Sequence, residues 1–171
     1  DNASDVKHWI STGSDILDLA ISNRPNGGYP TGRIVELAGL EASGKSLLAA
    51  YALKDTQKKG GIAIYIDTEA AVSREYLAAI GVDVDKLLYL QLETLEECFE
   101  AVETAIGKVR QSDKGVLVTI VIDSIMGATT KAELESDYDK DGWATSKAII
   151  LSKAMRKVTN LLSKQNILLI L

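Results

Sequence analysis

The segment from residue 39 to residue 46, GLEASGKS, constrains the fold more than any other part of the sequence. It has the spacing Gly-x-x-x-x-Gly-Lys-Ser, follows an apolar run at residues 33–38 and opens a stretch of helical character at residues 45–59. A strand, a glycine-rich turn and a helix in that order are typical of a phosphate-binding loop, because glycine lets backbone N–H groups approach phosphate oxygens without an intervening Cβ. The helix adds its positive dipole end to the same place. A chance match in a turn is disfavoured by these flanking elements.

The side chains of this motif predict a binding site for ATP and Mg²⁺. Lys45 can place its charge on the β- and γ-phosphates, and the Ser46 hydroxyl can coordinate Mg²⁺. We therefore treat Lys45 as catalytic and Ser46 as a metal ligand. The predicted ATP-binding residues are Gly39, Leu40, Glu41, Ala42, Ser43, Gly44, Lys45, Ser46 and Leu47.

Two further carboxylates follow apolar strand-type runs. Asp123 ends VTIVID and is predicted to hold Mg²⁺, since parallel strands deliver their C-terminal ends to the edge where a phosphate loop lies. An ordinary turn-capping aspartate is the alternative. Glu69 lies two residues beyond IAIYID, where a carboxylate can activate the water that attacks the γ-phosphate. Its alternative is a solvated loop acid, and Asp67 is interpreted as structural.

The alternation of short apolar runs with amphipathic stretches predicts an α/β fold in three layers, with a mostly parallel central sheet flanked by helices. Predicted strands cover residues 33–38, 62–67, 87–91, 116–123 and 167–171. Predicted helices cover residues 15–23, 45–59, 73–80 and 145–164, with another starting after Thr94. In that helix Leu95, Phe99, Val102, Ile106 and Val109 form one apolar face.

Two local expectations concern the first 32 residues. Ser14 is predicted to cap the first helix, with Ile16, Leu17, Leu19 and Ala20 facing inward. The prolines and glycines between residues 25 and 32 predict an irregular loop.

Composition restricts the class of protein. The 171 residues are 46% hydrophobic and 25% charged, which fits one globular domain. No run of 18 apolar residues occurs, so no transmembrane helix or membrane partner is predicted. The single cysteine, Cys98, fits a reducing compartment, and we expect a cytoplasmic protein. A net charge of −5 means that any nucleic acid must be attracted by a local patch.

Read together, six segments resemble the ATPase core of the RecA recombinase family, particularly its bacterial and bacteriophage branches. They are ISTGSDILDLAI, GRIVELAG-LEASGKS, YIDTEAAVSREYLAAIGVDVDKLL, VIDSIMGATTKAELE, SKAMRKVTNLL and NILLIL. The resemblance implies an ATP-dependent DNA strand-exchange protein that assembles as a helical homo-oligomeric filament on single-stranded DNA. It covers residues 1–171 as one ATPase core.

The resemblance also assigns roles to individual residues. It implies that Glu69 is the catalytic glutamate and that Tyr76 stacks on adenine, although Tyr76 read alone could equally be a core aromatic. Residues 136–146 match the family's first DNA-binding loop, where Tyr138 and Trp143 could stack on bases. Lys131 and Lys140 could meet phosphates there. The alternative is an acidic surface loop that does not bind DNA.

The same loop contains half of a calcium-binding pattern, at Asp137, Asp139, Asp141 and Gly142. Ala148 stands where such a loop needs a bidentate glutamate, so calcium binding is not expected.

Departures from the family pattern limit the prediction. Leu47 replaces a hydroxyl residue, and Ser73 replaces an aspartate that contacts adenine. The polymerisation helix, second DNA-binding loop and C-terminal domain have no counterpart, so we expect a fragment that does not exchange strands alone. A ring-forming motor of the same fold, or a DNA-binding module gated by nucleotide without turnover, remains an alternative.

Overall fold

A computed structural model of the chain describes residues 5–112, 115–134, 143–163 and 165–171, without the side chains of residues 112, 143 and 144. Its strands are β1 (Trp9–Ile10), β2 (Tyr29–Pro30), β3 (Arg33–Val35), β4 (Ile62–Asp67), β5 (Leu88–Gln91), β6 (Val118–Asp123) and β7 (Ile167–Ile170). Its helices are α1 (Asp15–Ser22), α2 (Lys45–Lys58), α3 (Arg74–Ile80), α4 (Leu95–Ser112), α5 (Lys131–Leu134) and α6 (Trp143–Leu162).

Five of these strands form a parallel sheet in the order β3-β7-β6-β4-β5. Helices α2 and α3 pack on one face, and α4 and α6 pack on the other. This is the predicted three-layer α/β architecture. Since all five strands run the same way, the ends of β3, β4 and β6 reach one edge of the sheet.

Successive side chains of β4 and β6 point to opposite faces of the sheet, and each face has its own hydrophobic core. Ile64, Ile66 and Ile120 face α4 and α6, whereas Tyr65 and Val121 face α2. The register pairs Asp67 with Asp123, so the two strands end level with each other on the α2 side. The strand-end carboxylates are therefore neighbours.

Helix α4 confirms its predicted face and cap. All five predicted apolar residues are buried, and Cys98 is buried beside them. The Thr94 hydroxyl accepts a hydrogen bond from the Glu97 N–H, and the Glu97 carboxylate accepts one from the Thr94 N–H. This reciprocal pair is a capping box, and the Thr94 bonds lower the pKa of Glu97.

The predicted inward face of α1 is wrong. Ile16 is 83% exposed, and Leu19 and Ala20 are exposed as well, while Leu17 is half-buried. The buried side chain is Asp18, whose carboxylate accepts hydrogen bonds from the Ser11 hydroxyl and from the Thr12 N–H and hydroxyl. These bonds fix the rotation of the helix, because a buried carboxylate without partners costs more than exposed aliphatic groups.

Three smaller differences concern short elements. Residues 29 and 30 were predicted to be irregular but pair antiparallel with β1, a pairing that Pro30 tolerates in a two-residue edge strand. Strand β3 ends before residue 38, although the Leu37 N–H still bonds to the Leu171 carbonyl. Helix α5 was not predicted; a second capping box, between Thr130 and Glu133, starts it.

Among the described residues, no helix combines the length and apolar character needed to cross a membrane.

The observed orientation of α1, with Asp18 buried and Ile16 exposed, gives a stability test. We expect Asp18→Ala to destabilise the chain by about 3 kcal/mol, because it leaves buried donors of Ser11 and Thr12 unpaired. Ile16→Ser, at an exposed position of the same helix, should change the free energy of unfolding by less than about 0.5 kcal/mol. Urea unfolding of both variants measures the difference; a larger loss for Ile16→Ser would contradict the observed orientation.

Candidate nucleotide-binding site

The phosphate-loop motif connects β3 to α2 and projects from the sheet edge. Residues 38–43 are exposed, and Gly44 immediately precedes α2 with φ of 94°. A side chain is strained in that left-handed conformation, which explains a glycine there. No side chain caps the first turn of α2, and no acidic residue lies in it. The first N–H groups and positive dipole end of α2 can therefore interact with an anion.

Lys45 folds back across this loop. Its ammonium donates hydrogen bonds to the carbonyl oxygens of Gly39, at 3.0 Å, and Leu40, at 2.8 Å. The charge thus lies within the curve of the loop, beside the N-terminus of α2. This arrangement fits a polyphosphate.

Ser46 joins α2 to the end of β6. Its hydroxyl donates a 2.6 Å hydrogen bond to Oδ2 of Asp123, 77 positions away in sequence. Lys45, Ser46, Asp123 and Ser124 also line one small cavity of about 30 Å³. The hydroxyl and one of the two predicted acids are therefore in direct contact, and Lys45 lines the same cavity.

Three hydrogen bonds tie the ends of β4 and β6 together. The Thr68 N–H donates to the Asp123 carbonyl, and the Thr68 hydroxyl donates to the Ser124 carbonyl. The Ser124 N–H in turn donates to the Thr68 hydroxyl oxygen. The peptide bond between Asp123 and Ser124 is cis. The three hydrogen bonds between Thr68 and residues 123–124 hold the loop after β4 against the loop after β6.

Glu69 lies at this junction. Its Oε1 accepts a 2.7 Å hydrogen bond from the hydroxyl of Ser124, the residue next to Asp123. Gly127 makes room for it, because a Cβ at residue 127 would lie 2.4 Å from that Oε1. The second predicted acid is thus exposed and bonded to the residue that follows Asp123.

Asp67 has the structural role expected of it. Its carboxylate accepts hydrogen bonds from the backbone N–H groups of Glu69 and Val72 and from the Tyr89 hydroxyl. It therefore shapes the loop that carries Glu69. Burial is the main cause that raises the pKa of Tyr89 to about 12, and its bond to Asp67 adds to the shift.

The donor atoms suit magnesium rather than a softer metal. The Ser46 hydroxyl and the Asp123 carboxylate are hard oxygen ligands. Within the described ranges, no group of three or more His, Cys, Asp or Glu side chains could hold an ion unaided. Magnesium here would complete its octahedron with phosphate and water oxygens, its usual mode of binding in nucleotide sites.

The remaining predicted site residues are less closely connected. Leu40 and Leu47 are exposed, as are Glu41, Ala42 and Ser43. Tyr76 is 39% exposed on α3, which does not fit a core aromatic. Lys131 begins α5 with an exposed side chain, and its N–H lies 3.3 Å from both Glu96 carboxylate oxygens. Tyr138 and Lys140 lie outside the described residues, and only the backbone of Trp143 is described, as the start of α6.

Sequence reasoning missed three residues of this region. Tyr65 donates a 2.6 Å hydrogen bond to the same Asp123 oxygen as Ser46. The available signal was a polar aromatic residue in an aliphatic strand. Tyr65 precedes Asp67, the acid that ends its own strand, by two positions, and residues two apart in a strand share a face. Thr68 and Ser124 directly follow the strand-end acids, but no motif in the sequence singled them out.

A five-stranded parallel sheet in this order, with a glycine-rich loop between β3 and α2, is a RecA-like α/β core. A family model described as the RecA N-terminal domain matches residues 1–171. Protein RecA of Leptospira meyeri is 42% identical over 157 residues, which cover 92% of this chain and 38% of that protein. Protein RecA of Bacteroides thetaiotaomicron is 42% identical over 164 residues, covering 96% and 47% respectively.

The chain belongs to the RecA family. It is also similar to Protein RecA of Arthrobacter sp. (strain FB24), with 42% identity over 155 residues that cover 91% of this chain and 41% of that protein. The chain thus spans less than half of the length of these relatives.

The Tyr89 bond predicts an alkaline transition. A phenol whose pKa is raised from 10.0 to about 12 is held more tightly in its protonated form by the folded state. Its contribution to stability is therefore complete below pH 10.0 and is lost as the pH rises towards about 12. Ultraviolet titration of the chain and of Tyr89→Phe should assign a late-ionising phenol to Tyr89. Ionisation of that phenol at its ordinary pKa would contradict its burial and its bond to Asp67.

Proposed function

We propose that this chain binds ATP with Mg²⁺ at residues 39–47 and hydrolyses it, as the ATPase core of a DNA recombinase. The observation that carries the proposal is the 2.6 Å bond between Ser46 and Asp123, beside the loop that encloses the Lys45 ammonium. Two hard oxygen groups and a fixed cation around one loop suit a metal-bound polyphosphate and few other ligands.

Each residue has a distinct role in the proposed reaction. The first N–H groups of α2 bind phosphate oxygens, and Lys45 neutralises charge that develops at the β- and γ-phosphates. The Ser46 hydroxyl donates a hydrogen bond to Asp123, which leaves its oxygen lone pairs available to Mg²⁺. Magnesium, when bound, polarises the phosphoryl oxygens.

Glu69 is the proposed general base. Its carboxylate is exposed and oriented by the Ser124 hydroxyl, so it can accept the proton of a water molecule positioned for attack on the γ-phosphate. The bond to Ser124 orients Oε1, and the side chain remains exposed. Tyr76, exposed on α3, is the proposed contact to adenine.

The proposal predicts that Glu69→Gln lowers ATP turnover by about 10²- to 10⁴-fold, because the amide cannot accept the proton. ATP affinity should stay within about threefold, since phosphate binding rests on Lys45 and α2. Phosphate release and a fluorescent nucleotide measure the two quantities. Glu100→Gln, an exposed acid on α4 behind the sheet, is the matched control and should leave both unchanged.

Unchanged turnover in Glu69→Gln would remove that residue from the mechanism. Turnover absent from the unmodified chain, with ATP binding retained, would favour a nucleotide-gated module instead. Turnover that survives Lys45→Ala would contradict the site itself.

We further propose that the longer protein binds single-stranded DNA as a helical filament. Membership of the RecA family supports this, and residues 136–146 are the proposed DNA-binding segment. Lys147, on α6, donates hydrogen bonds to the carbonyls of Met126 and Ala128, in the loop that follows β6. Helix α6 is thus bonded to the loop that follows β6 and carries Ser124. Lys131, Tyr138, Lys140 and Trp143 are its proposed DNA contacts.

The DNA proposal predicts that single-stranded DNA stimulates turnover of the longer protein, with an effect that falls as salt rises. Electron microscopy with an ATP analogue should show open helical filaments. Closed rings would support the ring-forming motor, and an absence of any assembly on DNA would contradict both.

A further inference from the structure

Two stacked tyrosines lie on the central sheet next to the acids that end β4 and β6. Tyr65 and Tyr89 occupy paired positions of β4 and β5, with ring centroids 6.0 Å apart and planes at 9°. Each hydroxyl reaches the acid at the end of a strand: Tyr65 donates to Asp123, and Tyr89 donates to Asp67, both at 2.6 Å. The pair therefore contacts two carboxylates with different surroundings.

The Tyr65 side chain that makes this bond is closed off from solvent. This side chain is fully buried, and its hydroxyl donates to Oδ2 of Asp123. A phenylalanine would fill the same space, but its ring would leave Oδ2 without this partner. The hydroxyl is thus directed at one atom of one acid.

That atom is the one that Ser46 also uses. Both hydroxyls donate to Oδ2 of Asp123, one from α2 and one from β4. A serine hydroxyl has a single proton to donate, and an acceptor held in place for that proton directs the oxygen lone pairs away from the acceptor, where a metal can bind them. The bond from β4 holds this acceptor independently of α2.

We propose that Tyr65 is a positioning residue for the magnesium ion of the bound nucleotide, acting through Oδ2 of Asp123. This rests on the proposed function. Tyr65 would act one bond away from the ion, because it fixes the carboxylate that accepts the Ser46 hydrogen bond and would hold the metal. Groups of this kind, one bond removed from a metal, commonly change metal affinity when they are deleted.

The test compares two single-oxygen deletions in the same stacked pair. Tyr65→Phe and Tyr89→Phe remove equivalent hydroxyls, and both keep their rings. Binding of Mn²⁺, a paramagnetic substitute for Mg²⁺, is measured by electron paramagnetic resonance on the complex with a non-hydrolysable ATP analogue. We expect Tyr65→Phe to weaken Mn²⁺ binding about tenfold. Tyr89→Phe should match the unmodified chain, and nucleotide affinity in EDTA should be the same for all three proteins.

Equal Mn²⁺ affinity in Tyr65→Phe and the unmodified chain would overturn the inference. So would an equal loss in both variants, because that result would indicate a general role of the stacked pair. Failure of the unmodified chain to bind Mn²⁺ with nucleotide would instead reject the proposed function, and this inference with it.

A second measurement covers the case in which Tyr65→Phe does not fold. Site-specific incorporation of fluorotyrosine at position 65 provides a single fluorine signal in the intact fold. Adding Mg²⁺ to the nucleotide complex should shift that signal, since the Asp123 carboxylate that accepts the phenol bond gains a metal ion. An unchanged signal would contradict the inference.

Discussion

The hydrogen bond from Ser46 to Asp123 is the contact on which the arrangement of this site depends. It joins the first turn of α2, which follows the glycine-rich loop, to the end of a central strand. Lys45 precedes Ser46 on α2, and Ser124, which orients Glu69, follows Asp123. The contact therefore joins the element that carries the lysine to the loop that orients the second acid.

The parallel sheet makes such a contact possible. Register between β4 and β6 places Asp67 level with Asp123, and Thr68 and Ser124 then bond the two following loops to each other. Each acid consequently has its own environment. Asp67 shapes a loop by accepting hydrogen bonds from backbone N–H groups. Asp123 accepts hydrogen bonds from two hydroxyl groups, and Glu69 accepts one from a hydroxyl group while its side chain remains exposed.

Much of this could be predicted because the signals are local and strong. The glycine spacing, the aliphatic strands and the apolar face of α4 each identify an element, and the rule that parallel strands end at one edge then groups Lys45, Ser46 and Asp123. The α1 prediction failed because periodicity counts apolar residues and cannot register that Asp18 satisfies three donors. Spacing within β4 relates Tyr65 only to Asp67, whereas its bond to Asp123 is a diagonal contact to a neighbouring strand, which sequence spacing does not encode.

The central claim is that Lys45, Ser46, Asp123 and Glu69 surround one magnesium-bound polyphosphate. A crystal structure of the chain with Mg²⁺ and a non-hydrolysable ATP analogue tests it most directly. The account predicts phosphates within the loop of residues 39–46, magnesium against the Ser46 hydroxyl, and Glu69 facing the terminal phosphate. A nucleotide bound elsewhere, or a terminal phosphate directed away from Glu69, would contradict it.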